Sequence, residues 1–186
     1  MKVLIAGLVI FFGIHLLPTL SSTRTRLVEK YGENRYKVFY SLVAAVGLVV
    51  IVIGMAYRDF VHVWNPPAWG RYVTIVAMFA SVLFLVAGDV SCNIKRFLRH
   101  PMLTGVALWA CAHLFANGDL VSLLLFGSFG IFALFDMWSA NRRGAEKGTR
   151  VYPVSKDLMV VGIAIVVYGV LIYVHPYIIG LPVIVF

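Results

Sequence analysis

The chain has 186 residues, of which 61% are apolar and 13% are charged, and its mean hydropathy is +0.92. Soluble domains carry about 25% charged residues, so this composition excludes an ordinary water-soluble enzyme and a disordered chain. The net charge of +8 does not indicate a nucleic-acid binder, because the basic residues lie in short gaps between apolar runs and form no long basic run.

Six apolar segments follow one another along the chain and predict an all-α, polytopic membrane bundle. The segments are residues 3–20, 38–57, 72–88, 101–116, 120–140 and 158–174. The chain length fits a single domain, residues 1–186, that contains these six spans. We interpret the first segment as a retained span, because its basic residues follow it and no small-residue cleavage pattern ends it.

Basic residues are concentrated in alternate loops. The first, third and fifth loops hold all but three of the 16 Lys and Arg residues, the exceptions being Lys2, Arg58 and Arg71. Under the positive-inside rule these loops face the cytoplasm and both termini are periplasmic. The sequence therefore predicts a multi-pass protein of the bacterial inner membrane.

Glycines mark three places where the helices are expected to approach one another. Asn117-Gly118-Asp119 predicts a tight turn with Gly118 in the left-handed conformation, which makes segments four and five a close hairpin. Gly47 and Gly54 lie seven residues apart in segment two, and Gly127 and Gly130 lie three residues apart in segment five. Both pairs indicate either close helix contact or the ordinary use of glycine in membrane helices.

The remaining polar residues near the spans have expected structural roles. Asp136 is the one carboxylate inside an apolar run, and we expect structural pairing with Arg142 or Arg143 rather than a role in a proton relay. Cys92 and Cys111 form neither a disulfide framework nor a haem-attachment motif. No phosphate-binding loop or hydrolase motif occurs in the sequence.

Only two of the five histidines, His15 and His113, fall well inside apolar runs. Each lies at a depth of roughly 18 Å from the start of its segment, counted from opposite membrane faces. In a core of about 30 Å their heights then differ by less than about 10 Å. Two such imidazoles either bind one b-type haem iron or are hydrogen-bonded packing residues. In the first case Arg24 or Arg26 is expected to neutralise the haem propionates.

Three further residues share a helical face with these histidines. Trp109 and Asn117 lie four residues on either side of His113, and Phe11 lies four residues before His15. Trp109 and Phe11 are expected to pack against the macrocycle or to be ordinary core or lipid-facing aromatics, and Asn117 to hold an imidazole or a ligand. The predicted cofactor-binding residues are His15, His113, Trp109, Phe11 and Asn117, with His15 and His113 as the metal ligands.

Several blocks of the sequence resemble the NnrU family, which is named for a role beside nitrite and nitric oxide reductases in denitrifying bacteria. The most specific are R-H-P-M-L-T-G at residues 99–105 and A-H-L-F-A-N-G-D-L at residues 112–120. Others are F-F-G-I-H-L-L-P at 11–18, Y-K-V-F-Y-S at 36–41, W-N-P-P-A-W at 64–69 and the H-P of residues 175–176. The resemblance covers essentially the whole chain.

The same superfamily includes the plant 15-cis-zeta-carotene isomerase, in which histidine holds a b-type haem. The helix-one histidine of that enzyme resembles His15, and its two histidines thirteen residues apart resemble His100 and His113. The resemblance therefore implies that His15 and His113 are axial haem ligands. The chain differs from the isomerase at Leu16-Leu17-Pro18, where the enzyme has small polar residues.

These observations together predict a haem-b-binding membrane protein with a redox or nitrogen-oxide-linked function. The alternatives are a cofactor-free accessory or scaffold protein and a haem-dependent cis–trans isomerase. A transporter is disfavoured, because the chain has no convincing inverted repeat and few polar groups at mid-membrane. The expected partners are the lipid bilayer, haem, and either a second copy of the chain or a membrane redox protein.

Overall fold

A computed structural model describes residues 1–180 and residue 183, which form eight α-helices joined by loops. They are α1 (Lys2–Leu16), α2 (Ser21–Tyr31), α3 (Glu33–Ala56), α4 (Gly70–Asp89), α5 (Ile94–Phe97), α6 (Pro101–Ala116), α7 (Leu120–Arg142) and α8 (Val154–Ile179). No β-strand occurs among the described residues, which confirms the all-α class. All six predicted segments are helical, and α2 and α5 are additional short helices within the predicted loops.

Among the described residues, five helical segments are long and apolar enough to cross a membrane, by length and composition. They are Lys2–Thr19, Glu33–Ala56, Gly70–Asp89, Leu120–Arg142 and Val154–Ile179. Helix α6 is apolar but has 16 residues, a length of about 24 Å against a hydrocarbon core of about 30 Å. The helices support a multi-pass membrane protein, while the sixth span and the periplasmic termini stay predictions.

The chain forms two compact units, of which the first is Met1–Phe60. In this unit α1 packs against α3 at close range. A Cβ atom added to Gly54 would lie 2.5 Å from the backbone N of Leu4, and one added to Gly47 would lie 2.8 Å from that of Phe11. The interpretation of Gly47 and Gly54 as sites of close helix contact is therefore confirmed. For the second pair it is wrong, because a Cβ at Gly127 would meet nothing within 4 Å and one at Gly130 would make an ordinary contact of 3.4 Å with the Ala110 Cβ.

The second unit begins at Val61, and within it α4 packs against both α6 and α8. Two side-chain hydroxyls join these helices by donating to backbone carbonyls. Ser81 Oγ on α4 donates to Gly105 O on α6 at 2.8 Å, and Tyr168 Oη on α8 donates to Ile75 O on α4 at 2.6 Å. Hydrogen bonds of this kind, together with small residues, stabilise helix contacts in membranes, where the lipid is as apolar as the helix surface.

Helices α6 and α7 pack together as the predicted hairpin, but the prediction for Gly118 is wrong. Among the described residues, left-handed φ angles occur at Gly32, Gly144 and Gly180. Gly118 instead lies against the segment before α4, where its carbonyl accepts from Val63 N at 2.9 Å and from Trp64 N at 3.1 Å. A Cβ atom at this position would overlap the Trp64 carbonyl oxygen. Close approach, and not a special φ angle, therefore requires glycine here.

Two carboxylates stabilise α7. Asp119 caps its N-terminus, because Asp119 Oδ1 accepts from Ser122 N at 2.9 Å and Oδ2 accepts from the Ser122 hydroxyl at 2.6 Å. Near the other end, Asp136 Oδ1 lies 3.4 Å from Arg143 Nη2. The predicted pairing of Asp136 is confirmed, with Arg143 as its partner.

Candidate functional site

His15 is half-buried on α1, and its ring is oriented by the preceding helical turn. Its Nδ1 lies 2.7 Å from the Phe11 carbonyl oxygen. Because a carbonyl only accepts hydrogen bonds, Nδ1 carries the hydrogen and the lone pair of the neutral ring is on Nε2. The ring also stacks on Phe11, with centroids 4.0 Å apart and planes inclined by 24°. His15 therefore has the tautomer whose Nε2 is suited to bind a metal.

Aromatic and basic residues of the first unit extend from His15. The His15 ring lies 5.4 Å from that of Tyr40, which lies 6.3 Å from the ring of Tyr36. The Arg24 guanidinium lies 6.0 Å from the Tyr36 ring. Tyr36 is 9% exposed, and its hydroxyl has no hydrogen-bond partner among the described residues. A buried hydroxyl of this kind is a donor suited to a bound acceptor group.

His113 on α6 repeats the arrangement found at His15. It is half-buried, and its Nδ1 lies 2.9 Å from the Trp109 carbonyl oxygen, again one helical turn earlier. The same argument assigns the hydrogen to Nδ1 and the lone pair to Nε2. The His113 ring stacks on Phe126 of α7, with centroids 4.4 Å apart and planes inclined by 21°.

A cluster of aromatic rings surrounds His113. The Trp109 ring lies 5.3 Å from His113 and meets Phe126 at 4.8 Å and Phe129 at 5.3 Å, both edge-on. Sequence reasoning included Trp109 but missed Phe126 and Phe129. Their spacing could have identified them, because two aromatic residues three apart share one face of a helix, and this helix is paired with α6 in the predicted hairpin.

Asn117 lies close to His113 but contacts its backbone. Asn117 Nδ2 donates to the His113 carbonyl oxygen at 2.8 Å, and Asn117 N donates to the same oxygen at 2.9 Å. Both bonds occupy the same carbonyl, which accepts the last i to i+4 backbone bond of α6 and also the side-chain bond. The contact found for Asn117 is thus with the helix end, and its predicted bond to an imidazole is not among the contacts observed.

His100 has a different environment from His113, thirteen residues later. His100 Nε2 lies 2.9 Å from Asn141 Oδ1, and the same oxygen accepts from Arg99 Nη1 at 2.7 Å. Because that oxygen accepts from an arginine, His100 Nε2 must also be a donor toward it. Nε2, which carries the lone pair in neutral His15 and His113, is therefore protonated in His100.

Within residues 1–180 and at residue 183, no group of three or more His, Cys, Asp or Glu side chains is arranged to hold a metal ion. A haem iron requires fewer protein ligands than such a metal ion, because the porphyrin supplies four nitrogens and the chain supplies only one or two axial ligands. Each unit by itself has features that such a group requires. The first has His15, with the lone pair on Nε2, beside Phe11, and a buried Tyr36 hydroxyl with no hydrogen-bond partner among the described residues. The second has His113, with the lone pair on Nε2, beside Trp109.

Comparison with known proteins identifies one family. The model of the family described as NnrU protein matches residues 3–183. No curated protein and no solved structure matches the chain. The match covers nearly the whole sequence and includes both histidine-bearing helices.

Proposed function

The chain belongs to the NnrU family, and on that premise we propose that it binds one b-type haem, with His15 and His113 as the axial ligands. The proposal includes α6 as a sixth span and places the protein in the bacterial inner membrane with both termini periplasmic. The role proposed for the bound haem is redox or linked to nitrogen oxides, in the context of denitrification.

The observation that supports this proposal best is the same hydrogen bond at both histidines. In each, Nδ1 donates to the carbonyl oxygen four residues earlier. Such an outer contact fixes the tautomer and the ring orientation and raises the basicity of Nε2. A packing histidine would also satisfy its Nδ1–H in this way, but in an axial ligand the same bond leaves the lone pair on Nε2, the atom that would bind the iron. Loss of outer contacts of this type lowers metal affinity by about 10- to 100-fold.

Neighbouring residues would hold the cofactor by ordinary contacts. Phe11 and Trp109 provide apolar ring surfaces beside the two ligands. The Tyr36 hydroxyl and the Arg24 guanidinium are a hydrogen-bond donor and a cation suited to one propionate. His15 and His113 would hold the haem, which would supply one-electron redox chemistry when bound.

The test is the visible spectrum of the full chain, purified with a supply of haem and recorded oxidised and reduced. A Soret band with the features of bis-histidine haem is expected. His15→Ala and His113→Ala should abolish the band or change the spin state, whereas His62→Ala should leave it unchanged. His100→Ala is the matched control, since that histidine lies on the same stretch of chain with Nε2 protonated.

Each other outcome points to a specific alternative. A colourless preparation would reject haem binding and favour a cofactor-free accessory or scaffold protein. An unchanged spectrum in His113→Ala would remove that residue as a ligand. A haem-dependent cis–trans isomerase would require conversion of a polyene substrate that depends on the same two histidines.

A further inference from the structure

A pocket at one end of the second unit has a chemistry unrelated to the two ligand histidines. Its volume is about 410 Å³. It lies where the last turn of α4, the short helix α5 and the start of α6 meet the segment 143–153. The lining residues are Gly88, Lys95, Arg99, His100, Pro101, Met102, Leu103, Glu146 and Gly148.

Positive charge predominates in this pocket. Lys95 and Arg99 face a single carboxylate, Glu146, so the lining is net positive even when His100 is neutral. Within the described part of the chain, Lys95 makes no ion pair. Arg99 uses Nη1 for Asn141, and a guanidinium has further N–H groups to donate. The pocket thus offers cationic donors in excess of its own acceptors.

The start of α6 adds backbone donors to the same pocket. Helix α6 begins at Pro101, has no acidic residue in its first turn and no side-chain cap at its N-terminus. The N–H groups of Met102 and Leu103 lie in this first turn, where a helix provides no carbonyl partner. The N-terminal end of a helix also carries partial positive charge, which favours an anion among these residues.

Hydrogen bonds hold the wall formed by segment 143–153 in place. Gly148 N donates to Lys95 O at 2.9 Å. The Asn93 side chain donates to Tyr152 O at 2.8 Å and to Asp157 Oδ2 at 2.7 Å, and it accepts from Tyr152 N at 2.9 Å. The pocket is therefore formed by loops that are tied together before any ligand arrives.

We propose that this pocket binds a phosphate group, carried either by the headgroup of an anionic phospholipid or by a soluble phosphate monoester. Lys95 and Arg99 would supply charge-assisted hydrogen bonds to the phosphate oxygens, and the start of α6 would supply backbone donors. The position at the ends of the apolar helices suits a lipid headgroup. Two apolar side chains support that source, since Met102 in the lining is 42% exposed and Phe97, two residues after Lys95, is 74% exposed.

The test uses the delipidated full chain in a neutral detergent. Native mass spectrometry would count the dioleoylphosphatidylglycerol or dioleoylphosphatidylcholine molecules retained at equal lipid ratios. Isothermal titration calorimetry would measure inorganic phosphate and glycerol 3-phosphate. Retention of phosphatidylglycerol in preference to phosphatidylcholine would support a lipid headgroup as the ligand. Binding of inorganic phosphate or glycerol 3-phosphate would support a soluble phosphate.

Matched variants locate the effect in the pocket. Lys95→Gln is expected to weaken binding about fivefold, the contribution of one basic residue at a membrane surface, and Lys95→Arg should retain it. Arg96→Gln is the control, because it removes the same charge from the same short helix outside the lining. Glu146→Gln should strengthen binding by removing a like charge. Equal losses in Lys95→Gln and Arg96→Gln, or no binding of any of the four probes, would overturn the proposal.

Discussion

Replacement of Gly47 by alanine tests how closely α1 and α3 pack in the first unit. The added Cβ would lie 2.8 Å from Phe11 N, 2.9 Å from Phe11 Cα and 3.0 Å from Phe11 Cβ, where ordinary contacts are 3.4–4 Å. The nearest atoms belong to the backbone, so a side-chain rotation does not relieve the overlap. The two helices must separate, and overpacking of this kind costs about 1–3 kcal/mol.

The matched control is Gly13→Ala on α1, because a Cβ at Gly13 meets nothing within 4 Å. Alanine there should be neutral or should stabilise the helix by about 0.5–1 kcal/mol. The measurement is the free energy of unfolding in mixed micelles, from titration with a denaturing detergent followed by far-UV circular dichroism. Equal stability of the two variants would refute the close packing of α1 and α3.

Gly47→Ala also has an expected effect on the candidate site. It displaces the backbone of Phe11, whose carbonyl accepts from His15 Nδ1 at 2.7 Å. If haem is bound as proposed, the variant should therefore lose haem more readily than Gly13→Ala does, measured as transfer of haem to apomyoglobin. Equal transfer rates would show that the Phe11 carbonyl does not hold the ligand in place.

Two further predictions concern the second unit. Gly118→Ala should destabilise it by about 1–3 kcal/mol, because the added Cβ would overlap the Trp64 carbonyl. Gly127→Ala is the control, since a Cβ there has open space around it and should not destabilise the unit. The unfolding titration compares the two variants, and equal free energies of unfolding would contradict the close approach at Gly118. Asn93→Ala removes three side-chain hydrogen bonds, each contributing about 0.5–1.5 kcal/mol. Segment 143–153 should then be cleaved faster by trypsin, and an unchanged cleavage rate would show that Asn93 does not hold it.

The positions of the spans were predictable from hydropathy, but the helix ends were less so. Segment two was predicted to begin at residue 38, whereas α3 begins at Glu33. The Lys37 ammonium lies 2.8 Å from the Glu33 carboxylate, one turn apart, and such pairs stabilise helix beyond the apolar stretch. Helix α2 was not predicted, because hydropathy identifies apolar segments and does not distinguish a polar helix from a polar loop.

Among the residues around the two histidines, only those close to them in sequence were predictable. Phe11 and Trp109 were predictable as neighbours of their histidines, because residues four apart share a helical face. Tyr36, Tyr40 and Phe126 were not, because other helices bring them to the site. The prediction for Gly118 failed because its requirement for glycine comes from the Trp64 carbonyl, far away in sequence.

The sequence by itself determined the class of the protein, its apolar helices, its family and the two histidines inside those helices. These properties depend on composition and on spacing along one helix, which are local. Only the tertiary structure decided that Gly47 lies on the Phe11 backbone and that Lys95 and Arg99 line one pocket. It also decided that the Tyr36 hydroxyl is buried with no hydrogen-bond partner among the described residues. Such contacts depend on which helix faces and loops meet, and that is set by packing between segments distant along the chain.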